Sequence, residues 1–223
     1  HDDGLWLTVT GRGLTPGGEN RGLEGFPGKV VLDPSGRRAY VSSSSRDDRK
    51  LYVVDVDTMA VIQDLDRGES FDGLAITSNG ETLFASAGDQ GGVDVFNIAE
   101  DGQVTLAGHI DTPGYPAGLT LSPDESTLWV ALFNAGGLLE LDVAEGVMRR
   151  EVALDAVAWD VKYVSRTDRV YVSHLSADFI SVVDGTTGEV LEKISVPTAP
   201  AGLLVSPDET MLWVAVAGGD AIA

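Results

Sequence analysis

Short apolar runs, separated by Gly, Pro, Asp, Asn or Ser, fill most of the 223-residue chain. Within these runs β-branched and aromatic residues dominate, as in Leu51-Tyr52-Val53-Val54 and Ile180-Ser181-Val182-Val183. Runs of this kind with turn residues between them predict β-strands joined by tight hairpins. No stretch keeps a helical period, so we expect an all-β protein.

The strand pattern repeats along the chain. Residues 116–131 and 200–215 have nearly the same sequence, at an offset of 84 residues. Related turns begin at residues 33, 77, 122, 165 and 206, so one unit spans 41 to 45 residues. Repeats of about 40 to 45 residues that hold several strands each are typical of β-propeller blades. We predict four-stranded blades of about 42 residues that start near residues 29, 73, 118, 160 and 202.

Two residue types recur at fixed places in the unit. An aromatic residue on the second strand is expected to pack between adjacent blades, because stacked repeats bury equivalent positions; these residues are Tyr40, Phe84, Trp129, Tyr171 and Trp213. A polar residue closes the third strand, and we expect its side chain to accept hydrogen bonds from the following turn; these residues are Asp55, Asn97, Asp142 and Asp184.

The second-strand tetrads Tyr40-Val41-Ser42-Ser43 and Tyr171-Val172-Ser173-His174 resemble the YVTN family of β-propeller repeats, which includes lactonase-like rings and bacterial surface proteins. Residues 13–18 with Phe26-Pro27, and residues 70–75, are similar to the N-terminal propeller of secreted bacterial phosphoesterase-family proteins. The chain departs from the family at the fourth tetrad position, which is Asn in the family name and here is Ser43, Ala87, Leu132, His174 or Val216.

The number of repeats predicts an incomplete ring. Seven blades of this size need about 294 residues, whereas the chain has four full units and a partial fifth. We therefore expect residues 1–223 to form a single β-propeller domain, seven-bladed when complete and truncated at its C-terminus. Residues 11–28 would supply a closing outer strand and the loop into the first blade. The rest of the ring would come from a missing part of the same chain or from a second chain.

Charge and composition exclude some classes of partner. The formal net charge is −20, from 35 acidic and 15 basic residues, and the sequence pI is about 4.2. Nucleic-acid binding needs a basic surface, so we expect no nucleic-acid partner. No apolar run is long enough for a membrane-spanning helix, so no membrane insertion is expected. The absence of cysteine excludes disulfides and thiolate chemistry. The acidic surface favours an extracellular, periplasmic or cell-surface location.

The mouth of the central channel is the favoured place for chemistry in a propeller. It is lined by the loops leading into the inner strands and by the loops joining the second and third strands. A set of aromatic, carboxylate and basic side chains there is suited to a small polar ligand or a divalent cation such as calcium. The candidate residues are Arg46, Phe71, Asp72, Asp89, Tyr115, Asn134, Trp159, Asp160, His174 and Asp220.

Several functions remain compatible with the sequence. The favoured interpretation is a non-catalytic module that binds a small polar ligand or a protein partner, with no evident cofactor. The family resemblance also implies two enzymatic alternatives: a lactonase-type hydrolase, or the accessory domain of a phosphoesterase whose catalytic part lies beyond residue 223. A surface-layer or adhesion repeat is a third alternative. No catalytic motif such as a nucleophile elbow or a P-loop is present.

Overall fold

We describe a computed structural model of the chain, which covers residues 6–7, 13–14, 23, 27–44, 49–68, 72–134, 136–217 and 221–222. Its strands form antiparallel sheets in which strands that are consecutive in the sequence are also neighbours in the sheet. Apart from two single-turn 3-10 helices, Gly88–Gln90 and Ser165–Thr167, the described residues contain no helix. The predicted all-β class is confirmed.

Four of the sheets have four strands each and are named here blades 1 to 4; a three-stranded sheet is blade 5. Blade 1 consists of β3 (Pro27–Leu32), β4 (Arg38–Ser44), β5 (Arg49–Asp55) and β6 (Val61–Asp66). Blade 2 consists of β7 (Leu74–Ile76), β8 (Thr82–Ser86), β9 (Val93–Ile98) and β10 (Val104–Ile110). Blade 3 consists of β11 (Pro116–Leu121), β12 (Thr127–Leu132), β13 (Gly137–Asp142) and β14 (Val147–Ala153).

Blade 4 consists of β15 (Val161–Val164), β16 (Arg169–Ser173), β17 (Phe179–Asp184) and β18 (Val190–Ser195). Blade 5 consists of β19 (Pro200–Val205), β20 (Leu212–Val216) and β21 (Ala221–Ile222). The first strands of successive blades contact one another, as inner strands do around the axis of a propeller. A separate pair, β1 (Trp6–Leu7) and β2 (Gly13–Leu14), precedes the blades. The closing strand predicted within residues 11–28 falls mostly outside the described residues.

The core lies between the blades, where the recurring aromatic residues pack. Tyr40 of blade 1 packs in a hydrophobic cluster with residues of blade 2. In the same way, Phe84 of blade 2 packs with residues of blade 3, and Trp129 of blade 3 packs with residues of blade 4. All three side chains are buried. The predicted role of the periodic aromatic is therefore confirmed for these three residues, because each one fills the space between its own sheet and the next.

Three of the four polar residues that close the third strands have the structural role expected of them. One carboxylate oxygen of Asp55, Asp142 and Asp184 accepts a hydrogen bond from the backbone N–H three residues later, at 2.8 Å in each case. These bonds fix the turn into the outer strand. The carboxylates are thus used in turn formation.

A serine on the second strand holds the start of the inner strand in three blades. The N–H groups of Lys29, Gly73 and Asp160 donate to the hydroxyl oxygens of Ser42, Ser86 and Ser173 at 3.1, 2.8 and 3.0 Å. All three serines are fully buried. The hydroxyls satisfy backbone donors that the sheet leaves unpaired.

We expect Ser86→Ala to lower the free energy of unfolding by about 1 to 3 kcal/mol, because the buried N–H of Gly73 would lose its acceptor. Urea unfolding measures the change. Ser195→Ala, on the exposed outer strand β18, is the matched control and should leave the urea midpoint unchanged. Equal midpoints for the two variants would contradict the prediction.

Candidate functional site

One position on each inner strand lies where neighbouring inner strands approach each other beside the channel. Regular pairing with the second strand begins at the next residue of each inner strand. These next residues are Val30, Leu74, Leu119, Val161 and Leu203, in blades 1 to 5. In three blades this position is glycine: Gly73, Gly118 and Gly202. A Cβ on Gly118 would lie 2.7 Å from the Cα of Asp160, so glycine permits the close approach there. The other two blades have Lys29 and Asp160 at this position.

Lys29 and Asp160 form an ion pair across the channel. The Lys29 Nζ donates to Asp160 Oδ2 at 2.6 Å, and the Leu203 N–H donates to the same oxygen at 3.0 Å. The other carboxylate oxygen accepts the Val161 N–H at 2.9 Å and lies 4.0 Å from the Nζ of Lys162. The Asp160 side chain is only 4% exposed. Its two oxygens are therefore occupied by groups of blades 1, 4 and 5.

The electrostatic environment of Asp160 favours its ionised form. Burial alone would raise the pKa of this carboxyl, but Lys162, Lys29 and the Leu203 N–H outweigh it and hold the pKa below its ordinary value. Burial also lowers the pKa of Lys162, against the attraction of Asp160. The carboxylate is thus the counter-charge for two lysines.

Asp72 is a second carboxyl group at the cavity, and its environment acts in the opposite direction. The Ser44 hydroxyl donates to Asp72 Oδ1 at 3.2 Å. Burial raises the pKa of Asp72 and the nearby Asp160 carboxylate adds to the rise, while Ser44 and Lys29 oppose it. Two neighbouring carboxyl groups therefore have pKa values shifted in opposite directions, an arrangement found where acid and base roles are divided.

These groups surround a cavity of about 250 Å3. Its walls come from inner strands and the loops leading into them in all five blades: Pro27, Gly28, Lys29, Asp72, Gly118, Trp159, Asp160 and Gly202. Trp159 continues into an aromatic row, with ring centroids 5.5 Å from Trp159 to Phe133 and 5.9 Å from Phe133 to Tyr115. One wall is thus aromatic, and Lys29, Asp72 and Asp160 supply the charged groups.

Nine of the ten sequence-predicted residues fall into three groups. Asp72, Trp159 and Asp160 line the cavity. Tyr115 adjoins it through Phe133, and the Tyr115 N–H donates to Asn134 Oδ1 at 2.7 Å. Burial raises the pKa of Tyr115, and the Asp89 and Asp72 carboxylates add to the rise. Asp89 itself is exposed. Arg46, Phe71 and Asp220 lie outside the described residues.

His174 lies inside blade 4 and is not part of the cavity wall. The ring is fully buried, with Nδ1 3.2 Å from the Val157 carbonyl oxygen and Nε2 2.8 Å from the Ser181 hydroxyl oxygen. Its centroid is 5.0 Å from that of Phe179. Burial lowers the pKa of His174 despite the backbone acceptors. The structure therefore separates this histidine from the carboxylates with which the sequence groups it.

Sequence reasoning missed four residues of the site: Lys29, Ser44, Phe133 and Lys162. A signal for Lys29 is present in the repeat, because superposing the units places it where Gly73, Gly118 and Gly202 occur. A charged residue at a position that is glycine in three of the five blades is a departure that packing does not require.

A larger cavity of about 480 Å3 lies at the opposite end of the inner strands, between the turns of blades 1 and 2. Its main polar side chains already have partners. The Tyr40 hydroxyl donates to the Gly102 carbonyl at 3.2 Å, and Arg38 Nη1 lies 2.6 Å from Asp55 Oδ2. The smaller channel cavity is therefore the better candidate site.

Metal ligation finds no support in the part of the chain that the structure describes. There, no group of three or more His, Asp or Glu side chains is arranged to hold a metal ion. The same residues include no helix that is long and apolar enough to span a membrane.

His109 lies on the outer strand β10, and both of its ring nitrogens face acceptors. Nδ1 is 2.7 Å from Asp94 Oδ1, and Nε2 is 3.1 Å from the Gly91 carbonyl oxygen. Only the protonated ring donates from both nitrogens. Burial alone would lower the pKa of His109, but Asp94, the Gly91 carbonyl and Asp111 together raise it above its ordinary value of 6.5.

We expect this histidine to make stability depend on pH. Because its pKa is higher in the folded state, its contribution is fully present below about pH 6.5 and is lost as pH rises through the folded value. The difference in free energy of unfolding between the wild type and His109→Gln should therefore shrink between pH 6.5 and 8.5. Urea unfolding of both proteins across this range measures the difference, and the contribution of His174 is common to both. Parallel curves for the two proteins would contradict the assignment.

A family model described as "Lactonase, 7-bladed beta-propeller" matches residues 38–155. The uncharacterized protein YncE of Salmonella typhi is 25% identical over 205 residues, which are 85% of this chain and 54% of that protein. YncE of Salmonella typhimurium is similar at 24% identity. The chain spans about half the length of the curated relatives it matches.

Solved structures share the fold at low sequence identity. Hydrazine synthase of Kuenenia stuttgartiensis aligns with a TM-score of 0.70 at 19% identity, over 88% of this chain and 58% of that one. A candidate 6-phosphogluconolactonase of Bacteroides uniformis aligns with a TM-score of 0.67 at 16% identity, over 83% of this chain and 63% of that one. At these identities the likeness shows the fold alone.

Proposed function

Because the chain belongs to the lactonase family of seven-bladed β-propellers, we propose that it is a binding module that holds a small polar ligand at the mouth of its channel. One observation carries the proposal. Lys29 of blade 1, Asp72 before blade 2 and Trp159 before blade 4 converge on one cavity of about 250 Å3. Convergent polar groups beside an aromatic surface are typical of ligand sites.

The chemistry of the walls defines the kind of ligand. Trp159 offers an apolar face, Lys29 a charged donor, and Asp72 a carboxyl group that accepts or donates according to its protonation. A molecule with hydroxyl or carbonyl groups on a small carbon skeleton would use all three. The cavity is somewhat smaller than the roughly 300 to 1,000 Å3 of most ligand pockets, which favours a ligand of metabolite size. The net charge of −20 supports an extracellular, periplasmic or cell-surface setting for this module.

A thermal-shift screen of small polyols, sugars and hydroxy acids tests the proposal, followed by calorimetry on the compounds that raise Tm. We expect binding to the wild type and a loss of about tenfold or more in Trp159→Leu and in Asp72→Asn. Asp155→Asn, an exposed carboxylate paired with Lys193, is the matched control and should bind normally. Ligands that bind all four proteins equally would refute the channel site.

A second candidate function is lactone hydrolysis, which the oppositely shifted pKa values of Asp72 and Asp160 favour. In such a reaction water attacks the ring carbonyl carbon and gives a proton to ionised Asp72. The C–O bond of the ring breaks, the ring oxygen takes up that proton, and the product is a hydroxy acid. Lys29 would stabilise the negative charge that develops on the carbonyl oxygen.

A lactonase assay with matched variants tests this candidate. We expect Asp72→Asn to lower kcat by at least about a hundredfold, the range typical of a lost general base. Lys29→Gln should lower it as well, while His174→Ala, which leaves the cavity wall intact, should keep most of the activity if it folds. Full activity in Asp72→Asn would exclude the hydrolytic role of this site.

A further inference from the structure

Lysine is rare in this chain, yet half of its lysines meet beside the channel cavity. The four are Lys29, Lys50, Lys162 and Lys193. Lys29 lines the cavity and Lys162 lies behind Asp160, at 4.0 Å from its Oδ1. The rest of the molecule is strongly acidic, with a net charge of −20. Two ammonium groups therefore lie at one site of a strongly acidic molecule.

The Asp160 carboxylate is not available to a ligand. Its Oδ2 accepts the Lys29 ammonium and the Leu203 N–H, and its Oδ1 accepts the Val161 N–H. The side chain is almost completely buried. Asp160 therefore acts as a fixed counter-charge that positions Lys29 and does not compete with a ligand for the open part of the cavity.

Lys29 retains donor capacity that the described residues do not use. An ammonium group has three N–H donors, and Asp160 Oδ2 is the one acceptor within hydrogen-bond distance of Nζ among the described residues. The Lys29 side chain is 21% exposed, so its remaining donors are reachable. Asp72 lies close enough to interact electrostatically with Lys29, but its hydrogen bond comes from Ser44.

The net charge of the groups around the cavity determines whether a ligand there should be an anion or a cation. Lys29 and Lys162 carry two positive charges, and Asp160 carries one negative charge. The cluster therefore has a charge of +1 when Asp72 is protonated and is neutral when Asp72 is ionised. Burial works against the ionised form of Asp72. Binding of an anion would then favour protonation of Asp72, and protonation of Asp72 would favour binding of the anion.

We propose that the channel cavity binds a small carboxylate anion, whose carboxylate accepts hydrogen bonds from Lys29 and whose carbon skeleton lies against Trp159. This proposal rests on the ligand-binding function proposed above and gives the ligand its charge. A single ammonium group faces the cavity, so a monoanion matches it better than a doubly charged phosphate. Charge-assisted bonds to the ammonium provide the selectivity over neutral molecules of the same shape.

Titration with glycolate and glycolamide, which differ in charge but have nearly the same size, tests the proposal on the full chain. At neutral pH and low salt we expect the wild type to bind glycolate about tenfold or more tightly than glycolamide. The preference should disappear in Lys29→Gln and persist in Lys50→Gln, a lysine on β5 that pairs with Asp64. A tenfold preference that survives in folded Lys29→Gln would overturn the proposal.

A second variant keeps the test decisive if Lys29→Gln does not fold. Asp72→Asn removes the competing carboxylate without altering Lys29, and we expect it to prefer glycolate over glycolamide by at least as large a factor as the wild type does, even though both compounds bind more weakly. A smaller preference for glycolate over glycolamide in this variant would contradict the proposal, as would tighter binding of inorganic phosphate than of glycolate. If neutral polyols bind in a Trp159-dependent way without any preference for glycolate, the binding function stands and the anion assignment fails. If no compound of either charge binds, both fail.

Discussion

Asp160→Asn is expected to lower the free energy of unfolding by about 3 kcal/mol, since removing one partner of a buried ion pair leaves the other charges uncompensated. The asparagine amide would keep the size of the side chain but not its charge. Lys29 and Lys162 would then lie together without a counter-ion, and the amide would satisfy the Leu203 and Val161 N–H groups less well. Urea unfolding at pH 7 measures the loss.

Asp155→Asn is the control for this prediction. Asp155 also pairs with a lysine, Lys193, at 2.5 Å, but its side chain is 76% exposed. Exposed ion pairs contribute little to stability, so this variant should unfold at the wild-type urea concentration. If both variants unfold at the same concentration, Asp160 is not the electrostatic centre of the channel.

Gly73→Ala is expected to have a similarly large effect, through sterics instead of charge. A Cβ on Gly73 would lie 1.9 Å from the Ala117 carbonyl oxygen and 2.8 Å from Leu119 Cγ. Ala117 belongs to the neighbouring inner strand, and Leu119 is fully buried, so neither group can move freely. The inner strands of blades 2 and 3 would have to separate, at a cost of about 3 kcal/mol.

Gly108→Ala provides the matched control, because Gly108 also lies in a strand but has no atom within 4 Å of its virtual Cβ. Alanine there should be neutral or stabilising by about 0.5 kcal/mol, since glycine loses more conformational freedom on folding. Thermal or urea unfolding of both variants makes the comparison. A Gly73→Ala protein as stable as the wild type would mean that the inner strands are not closely packed at this point.

The repeat predicts the fold well because the forces that define a blade are local. Turn residues, strand propensity and one aromatic residue per unit recur at a fixed spacing, and the burial of Tyr40, Phe84 and Trp129 follows from that period. The side chains that fill each interface come from the adjacent unit, so the spacing of the repeat in the sequence is enough to predict which residues pack between blades. The all-β propeller fold predicted from the repeat is therefore the one found in the described blades.

The site is less predictable, because it depends on contacts between distant units. Asp72, Trp159 and Asp160 can be identified from their place before an inner strand, but their partner Lys29 is 131 residues from Asp160. The direction in which a loop side chain points is equally hard to predict from the sequence. His174 and Asp160 both lie near the predicted mouth, yet the His174 ring enters the blade, where Ser181 and the Val157 carbonyl bond to it.

The separation of Lys29 and Asp160 along the chain has a consequence for the order of folding. Each blade is made of hairpins whose strands are close in sequence, and such contacts form early. Closing a loop of 131 residues costs about 2 kcal/mol more chain entropy than closing a ten-residue hairpin. The bridge across the channel should therefore form after the blades, once they hold its two ends together. A contact made that late affects mainly the unfolding rate. This salt bridge would therefore slow the unfolding of the assembled blades.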